Sequence, residues 1–309
     1  MPVAKDVLRL TTDLAVAGGE FMLSRVSRGK LSQRARRGNG LPVLLLPGYG
    51  AGDGAMEFLR DFLNDAGFDA HTWGLGQNIA FEGDSGQAAV EAWTVRIIER
   101  VRELSATSGG RKVALVGHSM GGLLSRETAA RYPEEIDRVI TMGSPTIHPY
   151  ISDDQNSLIV KLASNKGEEG ARFCITGKQG FLHWDAKYPK LPCIAIWSPI
   201  DAVVFSQSSR IPDYIVQMSG APAIRENVRL VCSHAGMAFN DPALLAVADR
   251  LAQPVDDWQP FDAHRYFPRW AIDLIEGTFG SRLYHEFVYS DWRDEPIEAR
   301  PEIREIDPD

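Results

Sequence analysis

The chain of 309 residues has little cysteine and no long apolar segment. Its three cysteines, Cys174, Cys193 and Cys232, lack CxxC spacing, which argues against a disulfide framework and against a zinc site. No window approaches the roughly 18 uninterrupted apolar residues of a membrane-spanning helix. The first residues also lack the basic stretch and following apolar stretch of a secretory signal. Together these absences indicate a cytoplasmic protein.

Acidic residues outnumber basic ones over the whole chain, but the reverse holds at its beginning. The formal net charge of −8 argues against nucleic acid as a partner. Residues 1–41 nevertheless carry eight Lys and Arg against three acidic residues, whereas residues 291–309 carry eight acidic residues against three arginines. The two ends of the chain therefore have opposite local charge.

Short apolar runs alternate with helical patterns through the middle of the chain. This alternation is typical of a parallel sheet with right-handed crossovers and helices on both faces. Ligands of such sheets bind at the carboxyl ends of the strands. Strands are predicted at Leu41–Leu46, Asp69–Trp73, Val113–Val116, Arg138–Met142, Cys193–Trp197 and Val228–Cys232, and helices at Gly54–Ala66, Gln87–Leu104, Leu123–Arg131 and Ala243–Leu251.

A G-x-S-x-G motif follows the run Val113–Val116. It reads Gly117-His-Ser-Met-Gly121, with Ser119 at its centre. On a sharp turn between strand and helix, such a serine projects into a cleft, and the flanking glycines let strand and helix approach closely. The alternative is a glycine-rich connection whose serine only caps the helix. The apolar run before the motif and the helical pattern after it favour a nucleophile.

A serine hydroxyl needs a base that takes its proton, and the base needs a group that orients it. Asp201 lies just past the run Cys193–Trp197, and His234 lies just past the run Val228–Cys232. Taken singly, Asp201 fits a loop cap and His234 fits a surface histidine. The chain order Ser119, Asp201, His234 is that of a catalytic triad at successive strand ends.

Backbone N–H groups are the expected donors to an oxyanion. We expect one from Met120, directly after the serine, and one from Tyr49 in the glycine-rich loop 47–52. That loop lacks the Lys and Ser/Thr of a phosphate-binding loop. The sharp turn at Ser119, called the elbow below, is expected to turn His118 away from the serine. This chemistry calls for no cofactor and no metal.

At these motifs the chain resembles the α/β-hydrolase superfamily and, within it, bacterial lipase/esterase-like members. The resemblance covers roughly residues 40–254. It implies an α/β-hydrolase fold and a serine hydrolase that cleaves a small-molecule or lipid ester through an acyl-serine. Many lipases place His-Gly where this chain has Pro47-Gly48, which leaves backbone donors intact but leaves the substrate class open. The matching segments are Leu45–Gly50, Val116–Gly122, Ser198–Asp201, Ser233–Met237 and Asn240–Pro254.

Two other functions stay open at this point. The same triad serves an acyltransferase or thioesterase when an alcohol or thiol takes part in the reaction. A non-catalytic binding module on a hydrolase scaffold would have a broken triad, whereas all three residue types are present here.

The sequence predicts three regions. Residues 1–40 form an amphipathic helix, from Asp6 to about Val26, and a basic linker. Residues 41–254 form the hydrolase domain, in which residues 144–190 are a lid or cap insertion. Residues 255–309 form an extension that holds ten of the chain's aromatic residues.

Both ends of the chain have apolar surface to cover. The helix either docks on the domain or lies at a membrane surface as a peripheral contact. The extension must pack on the body or on a partner. We expect Trp270 to approach the helix at Ala17, beside Gly18, either within one chain or across a homodimer. The predicted apolar face of the helix consists of Val7, Leu10, Leu14, Ala17 and Phe21.

Overall fold

The computed structural model describes residues 2–79, 86–145, 190–204, 206–211, 216–217, 219–270 and 272–273. Nearly all of the predicted lid, residues 146–189, lies outside them, as do Cys174 and the extension after residue 273. The predicted division of the chain at residues 40 and 254 stays a prediction.

A six-stranded sheet forms the centre of the described part, in the order β2-β1-β3-β4-β5-β6. All of its neighbouring strands pair in parallel. The inner strands are buried along almost their whole length, because a parallel sheet is covered by helices on both faces. The strands are β1 Pro42–Leu46, β2 Asp69–Thr72, β3 Val113–His118, β4 Ile136–Met142, β5 Cys193–Trp197 and β6 Arg225–Arg229.

Helices cover both faces of the sheet, as the alternation predicts. Alternate side chains of β1 point into two separate cores: Val43 shares one with Leu244, and Leu44 shares the other with Ile97. The helices are α1 Pro2–Arg34, α2 Glu57–Asp65, α3 Gly86–Thr107, α4 Met120–Arg131 and α5 Asp241–Ala252. Shorter helical turns are Asp53–Ala55, Ser206–Ser209, Ala235–Ala238 and Ala263–Arg265.

Strand β6 lies earlier in the chain than predicted. The apolar pattern predicts a strand over Val228–Cys232, whereas the ladder covers Arg225–Arg229. Leu230 and Cys232 are buried nonetheless. The N–H of Cys232 donates to Ser198 Oγ at 3.1 Å, a side chain outside the ladder. The N–H of Leu230 still donates to the carbonyl of Trp197 at 2.9 Å, so the apolar pattern indicates burial that continues past the end of regular pairing.

Helix α1 is longer than predicted and is docked on the domain. It spans Pro2–Arg34, whereas the predicted helix runs from Asp6 to about Val26. The hydroxyls of Ser24 and Ser27 donate to the carboxylate of Asp241, at 2.6 and 2.7 Å, at the start of α5. Of the described helices, neither α1 nor any other is both long and apolar enough to cross a membrane.

Within one chain the predicted contact between Trp270 and Ala17 is not formed, and the alternative contact across a homodimer stays a prediction. Trp270 is 69% exposed, and a Cβ added at Gly18 would meet no atom within 4 Å. Ala17 is itself buried, because its face of α1 is already covered by the domain. The extension meets the last residue of α1 instead, where the Arg34 guanidinium lies 5.6 Å from the centre of the Phe267 ring.

The first part of the extension is anchored by one partly buried carboxylate. Glu226 of β6 accepts from Arg250 Nη1 at 2.6 Å, from Trp258 Nε1 at 2.9 Å and from the N–H of Phe261 at 2.7 Å. Residues 255–261 are thereby fixed to the sheet and to α5.

We expect Glu226→Ala to lower the free energy of unfolding by about 3 kcal/mol, because three partly buried hydrogen bonds, one of them to a charged guanidinium, are lost. Urea denaturation followed by tryptophan fluorescence measures this loss. Glu134→Ala is the matched control, because Glu134 is 93% exposed and lies 3.8 Å from Lys112. That control should change stability by no more than about 0.5 kcal/mol. Equal losses in the two variants would contradict the anchoring role.

Candidate active site

Ser119 occupies a strained turn between β3 and α4. Its φ of 52° and ψ of −122° make it the one non-glycine residue with positive φ in the described part of the chain. Such a conformation costs about 1–3 kcal/mol and persists where the surroundings enforce it. Here the N–H of Ser119 donates to the carbonyl of Met142 at 2.8 Å, and its own carbonyl accepts from Gly122 at 3.0 Å.

The glycines of the motif stand where no side chain fits. A Cβ added at Gly117 would lie 2.3 Å from the carbonyl carbon of Gly121. One added at Gly121 would lie 2.2 Å from the carbonyl oxygen of Leu46, and one at Gly122 would lie 2.0 Å from Ser144 Oγ. The prediction that these glycines permit close approach of strand and helix is confirmed.

His234 is paired with a buried carboxylate. Its Nδ1 lies 2.8 Å from Asp201 Oδ2, and Asp201 is 1% exposed. The other oxygen, Asp201 Oδ1, accepts from the N–H groups of Val203 and Val204 at 2.9 and 2.7 Å. The carboxylate is thus held rigidly as an acceptor, which assigns the proton to Nδ1 of the imidazole.

The surroundings of His234 favour its protonated form. Burial by itself lowers the pKa of an imidazole, but the charge and hydrogen bond of Asp201 outweigh burial, and the charge of Asp13 adds to them. The pKa of His234 is therefore raised above its ordinary value. A base that must hold a proton transiently benefits from such an environment.

Gly143, which the sequence analysis did not single out, separates β4 from this pair. Its φ is +54°, and a Cβ added there would lie 2.9 Å from Asp201 Oδ2, 2.9 Å from Met237 Sδ and 3.1 Å from His234 Nδ1. The signal in the sequence is a glycine directly after a buried strand, at the edge where ligands of parallel sheets bind.

His118 is not turned away, contrary to the prediction. Its Nε2 lies 2.9 Å from the carbonyl oxygen of His234, and the two rings are 4.8 Å apart. Since a carbonyl only accepts, Nε2–H of His118 is the donor. Burial, together with the nearby His234, lowers the pKa of His118 to about 3. His118 is therefore a neutral support for the loop that carries His234.

The predicted oxyanion loop runs beside the elbow. A Cβ added at Gly48 would lie 3.1 Å from Ser119 Cβ. Tyr49 is the next residue of this loop, and Met120 is the first residue of α4. The two predicted donor residues thus directly follow Gly48 and Ser119, which lie close together, and the roles of their N–H groups stay predictions.

Asn78, also missed by sequence reasoning, fixes this loop. Its side-chain amide donates to the carbonyl of Pro47 at 2.7 Å. Its backbone carbonyl accepts from Gly50 at 2.7 Å, and its N–H donates to Ala51 at 2.8 Å. The loop is held at three points by one buried residue.

Two acidic residues of α1 reach the loop that carries His234. Asp13 accepts from the N–H groups of His234 and Ala235, at 2.8 and 3.0 Å. Glu20 accepts from the hydroxyl of Ser233 and from its N–H, the latter at 3.2 Å. No local pattern predicts these contacts, because the partners lie more than 200 residues apart in the chain.

Comparisons with known proteins support the fold described above. A family model described as the alpha/beta hydrolase fold matches residues 42–160. The chain is 32% identical over 108 residues to a triacylglycerol lipase from Pseudarthrobacter phenanthrenivorans, covering 34% of this chain and 33% of that protein. It is 28% identical over 127 residues to the 1-acylglycerol-3-phosphate O-acyltransferase ABHD5 from Sus scrofa, covering 40% of this chain and 35% of that protein. The matches span 22% to 35% of the curated relatives' length.

A solved structure shows the same fold. The Bacillus licheniformis lipase BlEst2, in its propeptide form, superposes with a TM-score of 0.50 at 15% identity, covering 73% of this chain and 53% of that one. The predicted fold class is confirmed: the chain has the α/β-hydrolase fold. In sequence, part of the chain is similar to a triacylglycerol lipase.

We expect Gly143→Ala to lower the pKa of His234, because the new methyl group displaces Asp201 from the imidazole and so weakens the interaction that raises this pKa. An NMR titration of the His234 ring protons, assigned with a His234→Gln variant, measures the shift.

The matched control is Gly110→Ala. Gly110 also has positive φ, +79°, but a Cβ there would meet no atom within 4 Å. Both variants should lose about 1 kcal/mol or more of stability through backbone strain. A similar pKa of His234 in the two variants would contradict the crowding at Gly143.

Proposed function

We propose that this chain is a serine hydrolase that cleaves carboxylic esters through an acyl-serine intermediate. The observation that carries the proposal is the buried pair of His234 and Asp201 at the same sheet edge as the strained Ser119. Ser119 follows β3, Asp201 follows β5 and the loop with His234 follows β6, and the carboxyl ends of parallel strands share one edge.

In the proposed reaction Ser119 Oγ attacks the ester carbonyl carbon while His234 Nε2 accepts the hydroxyl proton. Asp201 keeps the proton on Nδ1 and stabilises the imidazolium that forms. The tetrahedral intermediate collapses to acyl-serine, and His234 returns its proton to the leaving alkoxide. Water then attacks the acyl group with His234 again as base, which releases the carboxylic acid and restores Ser119.

The negative charge on the carbonyl oxygen needs donors already in place. The N–H groups of Met120 and Tyr49 are the proposed pair, and the amino-terminal end of α4 adds a partial positive charge. Loss of one such donor typically raises the barrier by about 2.7–4 kcal/mol. The three hydrogen bonds between Asn78 and the loop 47–52 support this role, because preorganised donors need no rearrangement during the reaction.

The relatives favour an ester of a lipid or a small molecule, since one is named a triacylglycerol lipase. Another is named an acyltransferase, which favours acyl transfer as the second candidate function. A partition assay separates the two: the acyl-enzyme is offered increasing concentrations of an alcohol or thiol, and product ratios are measured. Hydrolysis predicts free acid as the main product throughout, whereas acyl transfer predicts a new ester or thioester.

Ser119→Ala should abolish turnover of p-nitrophenyl esters and covalent labelling by a fluorophosphonate, because both need the serine oxygen. With the wild-type protein, a series of p-nitrophenyl esters from short to long acyl chain also defines the preferred substrate. Circular dichroism establishes that the variant is folded. Labelling that persists in the variant would place the nucleophile elsewhere.

Asp201→Asn should lower kcat by about 10⁴-fold, because an amide holds the imidazole in the wrong tautomer. Asp249→Asn is the matched control: Asp249 is buried equally well but lies in α5 beside Tyr266. The control should lose stability and keep its kcat. An effect of Asp201→Asn on kcat no larger than that of the control would contradict the orienting role of Asp201.

A further inference from the structure

Helix α1 presents two carboxylates to the loop that carries His234. We infer that Asp13 and Glu20 are positioning residues of the active site, and that α1 holds the loop Ser233–Gly236 so that His234 faces Ser119. This inference rests on the proposed function, because that function assigns His234 as the base.

Asp13 holds the backbone of His234 itself. Its two oxygens accept from consecutive N–H groups, Oδ1 from His234 at 2.8 Å and Oδ2 from Ala235 at 3.0 Å. Asp13 is only 4% exposed, so water does not replace it as an acceptor. Two buried N–H groups without a partner would cost free energy, and the loop would have to move to satisfy them.

Glu20 holds the residue on the other side of His234. It accepts from the N–H of Ser233 at 3.2 Å, from the Ser233 hydroxyl and from Asn240 Nδ2 at 2.8 Å. The Ser233 oxygen in turn accepts from the N–H of Gly236 at 2.9 Å. A Cβ added at Gly236 would lie 1.8 Å from Glu20 Oε2, so the glycine leaves room for this carboxylate.

Charge distinguishes these contacts from simple packing. His234 is faced by Asp201 from the loop after β5, by Asp13 from α1 and by the neutral His118 from β3. Asp13 therefore adds a second negative charge beside the imidazole, which raises the pKa of His234.

Glu20 has a titration of its own in the neutral range. Burial, with a smaller contribution from the charge of Asp13, raises its pKa to about 7, although the hydrogen bonds from Ser233 and Asn240 act to lower it. The thiol of Cys232 also faces Glu20, but its own pKa is raised well above the usual value, so it stays neutral.

Docking of α1 does not by itself require buried acids. Ser24 and Ser27 already attach the helix to Asp241 through neutral hydroxyls. Burial of a carboxylate is unfavourable and raises its pKa, as it does for Asp13 and Glu20. Carboxylates at these two positions are explained by the loop they hold and by the histidine on it.

The test compares Asp13→Asn with Ser24→Ala, which removes a bond between α1 and the body without touching the loop. For each folded variant, kcat and KM for a p-nitrophenyl ester and the rate of fluorophosphonate labelling are measured from pH 5 to 9. Asp13→Asn should lower kcat about 10- to 100-fold at nearly constant KM, because displacement of a catalytic group by about 1 Å has effects of this size. The acid limb of its kcat–pH profile should move to lower pH, because a charge that raises the pKa of His234 is lost. Ser24→Ala should lose stability and keep both kcat and the acid limb.

Glu20→Gln supplies a second, independent measurement, which also decides the case in which Asp13→Asn does not fold. The amide resembles the protonated acid, so wild type and variant should differ little at pH 6. Their ratio of kcat should grow towards pH 8, where Glu20 is charged in the wild type.

Three results would overturn the inference. One is a fall of kcat in Asp13→Asn without a shift of the acid limb of its pH profile, one is the same fall in Ser24→Ala, and one is an unchanged kcat of Glu20→Gln at every pH from 5 to 9. Failure of the proposed function gives a different result, because the wild-type protein would then resist the fluorophosphonate at every pH, and the inference would fall with it.

Discussion

Close backbone contact at the carboxyl edge of the sheet is the constraint on which the site depends. Gly117 and Gly121 bring β3, α4 and the end of β1 within contact distances that admit no Cβ. Gly143 does the same between β4 and the pair of Asp201 and His234. Because the space is filled by backbone, Ser119 is held at positive φ and the imidazole at a fixed distance from its carboxylate. Side chains at these positions would separate the groups that the chemistry brings together.

The residues that local patterns reveal are those on regular elements. An apolar run, a glycine turn and a helical pattern predict β3, the elbow and α4, because the elbow needs all three in sequence. Asp201 is predictable for a similar reason, since it lies directly past β5. The carboxyl edge of a parallel sheet then brings the strand ends together without further information.

The rest of the site depends on contacts that are distant in the chain. Asp13 and Glu20 lie in a helix whose apolar period indicates burial of one face, but a carboxylate on such a face is ordinarily expected at the solvated margin. Their partners at residues 233–240 follow more than 200 residues later. The position of β6 is wrong in the prediction for a related reason. Apolar residues at 230 and 232 are buried by loop contacts, and a pattern of burial does not tell a ladder from a packed loop.

The early end of β6 explains why the histidine loop needs outside support. The ladder with β5 stops at Arg229, so the N–H groups of residues 233–236 have no neighbouring strand to bond. Asp13, Glu20 and the hydroxyl of Ser233 accept from these groups in place of a strand. Local acceptors of this kind leave the loop outside the sheet, where His234 is able to reach both Asp201 and the turn that carries Ser119.

The register of α1 on the domain decides whether those acceptors are in place. Ser24 and Ser27 meet Asp241 at the start of α5, and Arg36, just after α1, bonds Gln253 just after α5. The two helices therefore run side by side in the same direction over roughly three turns. Both ends of this contact are polar. Hydrogen bonds at the two ends prevent α1 from sliding along its axis, whereas apolar packing alone resists such sliding only weakly. A helix fixed in this way places residues 13 and 20, two turns apart on the same face, against the two sides of His234. Because several polar contacts share this role, the loss of one of them, such as that of Ser24, leaves residues 13 and 20 in place.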